Sequence, residues 1–181
     1  MRNLIVSNMM SLDGFFAGPN GELEWHVVDP EFFAYAAELL RSVDTILFGR
    51  LTYEVMVAYW PSAPRDEIAD KMNGLAKVVF SRTLKKVDWN NTRLAQGNLM
   101  DEVSNLKRLP GKHIVIFGSA NIASPLLEAG LVDEYRVGVN PVLLGRGKPL
   151  FAGIQKRVSL KLLEAKKLGS GVILLKYGKA E

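Results

Sequence analysis

The amino-acid sequence predicts an α/β fold: one mixed, mostly parallel central sheet, helices on both of its faces, and an antiparallel hairpin at the C-terminal end. Three observations predict it. Short, nearly continuous apolar runs at residues 4–6, 45–48, 77–80 and 114–117 read as buried strands. Segments with apolar residues at helical spacing separate these runs, the alternation of a parallel βα architecture. The last third of the chain changes period. Val158, Leu160 and Leu162 alternate, as do Ile173, Leu175 and Tyr177, on either side of a Gly169-Ser170-Gly171 turn.

In chain order, Leu4-Ile5-Val6 starts the first strand. Residues 11–25 carry Gly14, Gly18, Pro19, Asn20 and Gly21 and read as a long loop, a length that often signals function. Pro30 opens a helix at its first turn, where a missing N–H does no harm, and Phe32, Ala36, Leu39, Leu40 and Val43 give its apolar stripe. A strand at residues 45–48 ends at Gly49. A short helix from Thr52 to Tyr59 stops at Trp60-Pro61, and another runs from Asp66 to Met72 before Asn73-Gly74. Strands follow at residues 77–80 and 91–94. Leu99, Val103 and Leu106 mark a helix closed by Pro110-Gly111, and the strand at 114–117 runs into Gly118. In the helix through Ile122, Leu126 and Leu127, Gly130 is the stop. Pro125 requires that helix to start late, near Asn121, or to bend. Residues 134–139 read as a strand and residues 141–153 as a glycine-rich loop.

At 181 residues the chain reads as a single domain spanning 1–181, and a hydrophobic share of 48% is enough for a core without staples. The absence of cysteine excludes thiol catalysis, Cys-zinc sites and disulfides. Two histidines without carboxylate neighbours give no metal centre. The net charge of +4 is spread along the chain, so no nucleic-acid partner is expected. Met1 to Ser7 lacks the apolar core of a signal peptide, and no run reaches the ~18 apolar residues of a membrane span, so a cytoplasmic location without membrane contact is expected.

Three strand ends carry the chemistry. Phe48-Gly49-Arg50-Leu51-Thr52 leads from a strand into a helix, where unpaired N–H groups and a positive dipole suit an anion and Arg50 adds a guanidinium. Ser81, Arg82 and Thr83 follow the next buried strand and offer two hydroxyls around a second guanidinium. Gly118, Ser119, Ala120 and Asn121 join a strand to a helix through small residues that allow close approach of a pyrophosphate. Each alone also reads as an ordinary turn. In a mostly parallel sheet these ends share one side, and together they point to a dinucleotide bearing an extra phosphate: NADPH, with the two arginines selecting its 2′-phosphate. Asp13, directly after the first strand, is the candidate catalytic proton donor, with bound water as the alternative, although Asp13-Gly14 is also a common turn pair. Glu54 is a first-turn acid on its helix, and Trp25 is placed to wall a planar substrate.

These segments together resemble the family that groups the reductase domain of riboflavin biosynthesis with dihydrofolate-reductase-like proteins. The resembling pieces are Ser11-Leu12-Asp13-Gly14, Phe48 through Glu54 before Tyr59-Trp60-Pro61, Val79 through Leu84, Phe117-Gly118-Ser119-Ala120, Gly130 through Glu134, and Pro141 through Gly147 with Leu150-Phe151. The resemblance implies a dihydrofolate-reductase-like fold, NADPH across the three strand ends, and a homodimer. It also implies a small heterocyclic substrate between the loop after Ser11 and the helix from Pro30. Ser11 thus joins Trp25 and Glu54 as a candidate substrate contact. The implied activity is that of a 5-amino-6-(5-phosphoribosylamino)uracil reductase, with a dihydrofolate-reductase-like enzyme acting on another pteridine, or a non-catalytic NADPH-binding regulatory module, as the alternatives. The sequence departs from riboflavin-pathway reductases at Val57-Ala58-Tyr59-Trp60-Pro61, where those carry Asp-Asp-Pro, and the fused deaminase signature is absent.

Overall fold

The computed structural model describes residues 1–180. Its strands are β1 (Leu4–Ser11), β2 (Phe15–Ala17), β3 (Val43–Gly49), β4 (Ala76–Phe80), β5 (Thr92–Leu94), β6 (His113–Phe117), β7 (Glu134–Asn140), β8 (Lys148–Pro149), β9 (Leu160–Lys167) and β10 (Ile173–Lys179). The helices are α1 (Pro30–Ser42), α2 (Arg50–Tyr59), α3 (Glu67–Gly74), α4 (Leu99–Arg108) and α5 (Ala120–Glu128), with a 3-10 turn at Trp60–Ser62. Eight strands form one sheet in the order β5-β4-β3-β6-β1-β7-β10-β9. From β5 to β7 all neighbours are parallel, and β10 runs antiparallel to both β7 and β9.

Alternation along each strand divides the core into two layers. Ile5, Ile46, Phe48, Val79 and Val115 face Leu39 and Leu40 of α1, Tyr53 of α2, and Ile68 and Met72 of α3. Leu4, Val6, Leu47, Val78, Ile114 and Ile116 face Val103 and Leu106 of α4 and Ile122 and Leu126 of α5. Helices therefore cover both faces, as the two-sided apolar runs require.

The helix ends follow from short polar side chains. Asp29, Asp66 and Asn98 cap α1, α3 and α4 by accepting from the N–H groups of Phe32, Ala69 and Asp101. Gly130, with φ of 68°, closes α5: its N–H reaches the Leu127 carbonyl and that of Leu131 reaches Leu126. Pro125 lies inside α5 after all, and the helix starts at Ala120; the carbonyl of the exposed Asn121 is the one that loses its helical donor.

Other boundaries differ from expectation. The stretch 11–25 is not all loop: β2 pairs antiparallel with β8, inside the expected glycine-rich loop, to form a second, two-stranded sheet. Helix α2 starts two residues early, at Arg50. Val158 falls outside the hairpin, and every residue of β9 is exposed despite its alternating pattern, because β9 is the edge strand. Among the described residues no helix is long and apolar enough to cross a membrane.

Candidate functional site

The chain starts in the middle of the sheet, runs outward through β3, β4 and β5, and returns to place β6 between β3 and β1. β1 pairs with β6 only from Leu4 to Ser7, then continues beside β7 to Ser11. Beyond Phe117 the sheet parts, and a cleft of about 920 Å³ opens at the carboxyl ends of the parallel strands, where open α/β sheets bind their ligands. Gly49, Arg50, Thr52, Ser81, Arg82, Thr83, Gly118, Ser119, Ala120 and Asn121 all line it. They follow β3, β4 and β6, three adjacent parallel strands.

The ends of β3 and β6 are tied together through Ser119. Its Oγ accepts from the Gly49 N–H at 2.8 Å and donates to Thr52 Oγ1 at 2.7 Å, and its own N–H donates to Thr52 Oγ1 at 3.1 Å. Ser119 holds a left-handed backbone, φ 52°, ψ 55°, which costs a non-glycine residue about 1–2 kcal/mol. Gly118 precedes it at φ 59°, and a Cβ there would stand 3.3 Å from Thr52. With the Ser119 hydroxyl spent on this tie, α5 has no side-chain cap, and neither does α2. The two helices that open onto the cleft thus keep N-terminal N–H groups free of side-chain partners, while the three helices elsewhere are capped. Arg50 pairs with Glu54 at 2.9 and 3.1 Å on an exposed helix face. Ser81 Oγ accepts from the N–H groups of Thr83 and Leu84 and shapes the turn that carries the exposed Arg82.

Residues 2–174 match the RibD C-terminal domain family. The chain belongs to that family. It is 36% identical over 180 residues to the uncharacterized protein YyaP of Bacillus subtilis (strain 168), covering 97% of this chain and 94% of that one. It shares its fold with a protein of Shewanella sp. PV-4 provisionally assigned to riboflavin biosynthesis, at a TM-score of 0.79, 23% identity and 99% coverage of both chains. It also shares its fold with the dihydrofolate reductase of Enterococcus faecalis, solved with NADP(H) and RAB-propyl, at a TM-score of 0.68 and 16% identity, covering 99% of this chain and 97% of that one. The fold is dihydrofolate-reductase-like.

In this RibD C-terminal domain the other expected site residues lie apart from the cleft. Asp13, Ser11, Trp25 and Glu54 are not among its walls. Asp13 is exposed and accepts from Ser11 Oγ at 2.6 Å, Gly145 N at 2.8 Å and Leu144 N at 3.1 Å, so it pins the 144–145 turn. The Ser11 bond above all, then those backbone donors, hold its carboxyl below the ordinary range, which leaves it no proton to donate near neutrality. Ser11 is fully buried and also receives the Phe15 N–H. Trp25 donates to the Glu22 carbonyl and packs edge-on against His26. Glu54 serves Arg50.

The rest of the cleft comes from residues the sequence did not single out for this role. Phe16 enters from β2, Leu23 and His26 from the segment between β2 and α1, Phe32, Tyr35 and Ala36 from α1, Val55 and Met56 from α2, with Trp60 and Lys148 beyond them. Burial holds the His26 imidazole below its ordinary range, and its Nε2 has no hydrogen-bond partner among the described residues. On α1 the stripe was visible, but it reads equally as plain core. The signal for His26 and Lys148 is tertiary only.

Proposed function

We propose that this chain is a reductase that binds NADPH across the ends of β3, β4 and β6 and delivers hydride to a C=N or C=O group of a small planar substrate held between the loop after β1 and α1. One observation carries the reading: three anion-suited segments on adjacent parallel strands converge on one cleft. The chain's residues fit the cofactor. Uncapped N–H groups of α2 and α5 suit the pyrophosphate. A Cβ at Gly49 would stand 3.1 Å from Ser119 Oγ, so glycine there keeps the tie closed and the backbone low. Arg50 and Arg82 offer guanidinium groups to the 2′-phosphate. The likeness to a reductase solved with NADP(H) supports the reading.

NADPH, when bound, supplies the hydride. The protein holds the cofactor and substrate in register. With Asp13 turned to the 144–145 turn, the proton comes from water. A homodimer remains the expected assembly for the family resemblance. A second reading, a nucleotide-binding module without catalysis, is favoured by the engagement of Asp13 and Glu54 outside the cleft. Titration of NADPH against the fluorescence of Trp60, which lines the cleft, tests the first reading: saturable quenching is expected, and none at millimolar NADPH contradicts it. Binding without NADPH oxidation across pteridines, aminopyrimidines and conjugated carbonyl compounds selects the second.

A further inference from the structure

Apart from the three strand ends, the cleft is walled by Phe16, Leu23, Phe32, Tyr35, Val55 and Trp60. Among these walls Leu23 is 38% exposed and Val55 54% exposed. Open apolar walls in a cleft are matched by an apolar ligand. Three acids on the flanking elements are engaged elsewhere. Glu31 of α1 accepts from Gly169 N at 2.5 Å, Glu54 of α2 pairs with Arg50, and Asp13 holds the 144–145 turn. A cationic ring seated against these walls meets no carboxylate among the described lining residues, and an unpaired charge against apolar walls is costly. Lys148 is the one ammonium in the lining. It stands beside Glu22, whose carboxyl is held down first by backbone and Asn20 hydrogen bonds and also by the Lys148 charge. A single, partly balanced ammonium is a poor match for a phosphate dianion or for the paired carboxylates of a glutamyl tail.

We propose that the substrate of this site is an uncharged, apolar, planar conjugated carbonyl compound of the quinone or enone type, held between α1 and the loop after β1. The proposal rests on the NADPH-dependent reductase reading. For a quinone, NADPH and one proton from water convert the two carbonyls to hydroquinone hydroxyls, and NADP⁺ is released. Two electrons leave the nicotinamide as hydride, and no further oxidant or reductant is needed.

The test uses the full chain with three probes in parallel: 1,4-naphthoquinone, dihydrofolate, and a phosphoribosyl-bearing aminopyrimidinedione. NADPH binding is measured first. The expected result is NADPH oxidation with naphthoquinone at a kcat/KM at least about tenfold above either charged probe. A carboxylate set into the apolar wall by Ala36→Asp should raise the naphthoquinone KM by about a hundredfold while NADPH affinity stays within about twofold. Unchanged NADPH binding also shows that the variant folds. Ala36→Asn, of similar size and uncharged, should have a much smaller effect than Ala36→Asp. Preferred turnover of either charged probe, or equal effects of the two Ala36 variants, overturns the proposal and leaves the reductase reading intact. Naphthoquinone that does not react and quenches wild type and Trp60→Phe alike also overturns it. Failure to bind NADPH removes the reductase reading itself, and this proposal with it.

Discussion

Ser119 is the residue on which the cofactor side of the cleft turns. It holds a strained backbone, and three hydrogen bonds to Gly49 and Thr52 keep it there. Ser119→Ala removes the hydroxyl and leaves the Gly49 N–H without its acceptor. About 1–3 kcal/mol of stability should be lost in denaturant unfolding, and a double-mutant cycle with Thr52→Val should show strong coupling, since both changes break one tie. On the proposed reading Arg50 and Arg82 are the charge that separates NADPH from NADH. Each charge-assisted bond is worth roughly 1.5–3 kcal/mol, so Arg50→Ala or Arg82→Ala should weaken NADPH about tenfold to a hundredfold and leave NADH nearly unchanged in calorimetric titration. An equal loss for both cofactors would assign the arginines to the shared pyrophosphate or to the fold. Sequence reading singled out these residues because glycine, arginine and hydroxyl side chains at strand ends carry a local signal, and all of them line the one cleft. For Asp13 the sequence left a turn pair beside the donor reading, and only the fold brings residues 144–145 to its carboxylate.

At the level of the element, Lys77 shows how one side chain finishes a helix. Only 1% exposed, it points its Nζ at the carbonyls of Met72, Asn73 and Leu75, at 2.9, 3.2 and 2.7 Å, and lies over the Trp89 ring. Those carbonyls end α3, so a cation there meets the negative end of the helix dipole. Lys77→Met leaves them without the donor and should cost about 1–3 kcal/mol in chemical unfolding. Burial lowers the Lys77 ammonium from 10.5 to about 8. Between those values the unfolded chain holds a proton that the folded chain has released, so stability rises with pH. The advantage of wild type over Lys77→Met should therefore grow from about pH 8 to about pH 10.5; a flat difference contradicts the assignment. Most elements were legible. The strands β1, β3, β4 and β6 are sandwiched between helices and read as apolar runs. The β2–β8 pair was not legible, because two or three residues are too few for a period to show. The alternation in β9 suggested a buried face, but exposed Leu160, Leu162 and Leu163 sit on an edge strand.

For the molecule as a whole, topology turns three weak local signals into one site. Residues 49–52, 81–83 and 118–121 are far apart in sequence, yet they follow neighbouring strands of a parallel sheet, where strand spacing is ~4.8 Å. The return of β6 between β3 and β1 creates the parting of the sheet in which the cleft lies. The strand-end half of the cleft was legible because carboxyl ends of parallel strands must share a side. The substrate half was not, because its walls come from a loop and helix faces whose apolar residues have the same local signature as core. The most direct test of the account is amide hydrogen exchange of the full chain with and without NADPH. The prediction is added protection at residues 49–52, 81–83 and 118–121 together, with little change in β9 and β10. Protection absent from all three segments, or confined to another part of the molecule, would contradict the claim that the ends of β3, β4 and β6 form one NADPH site.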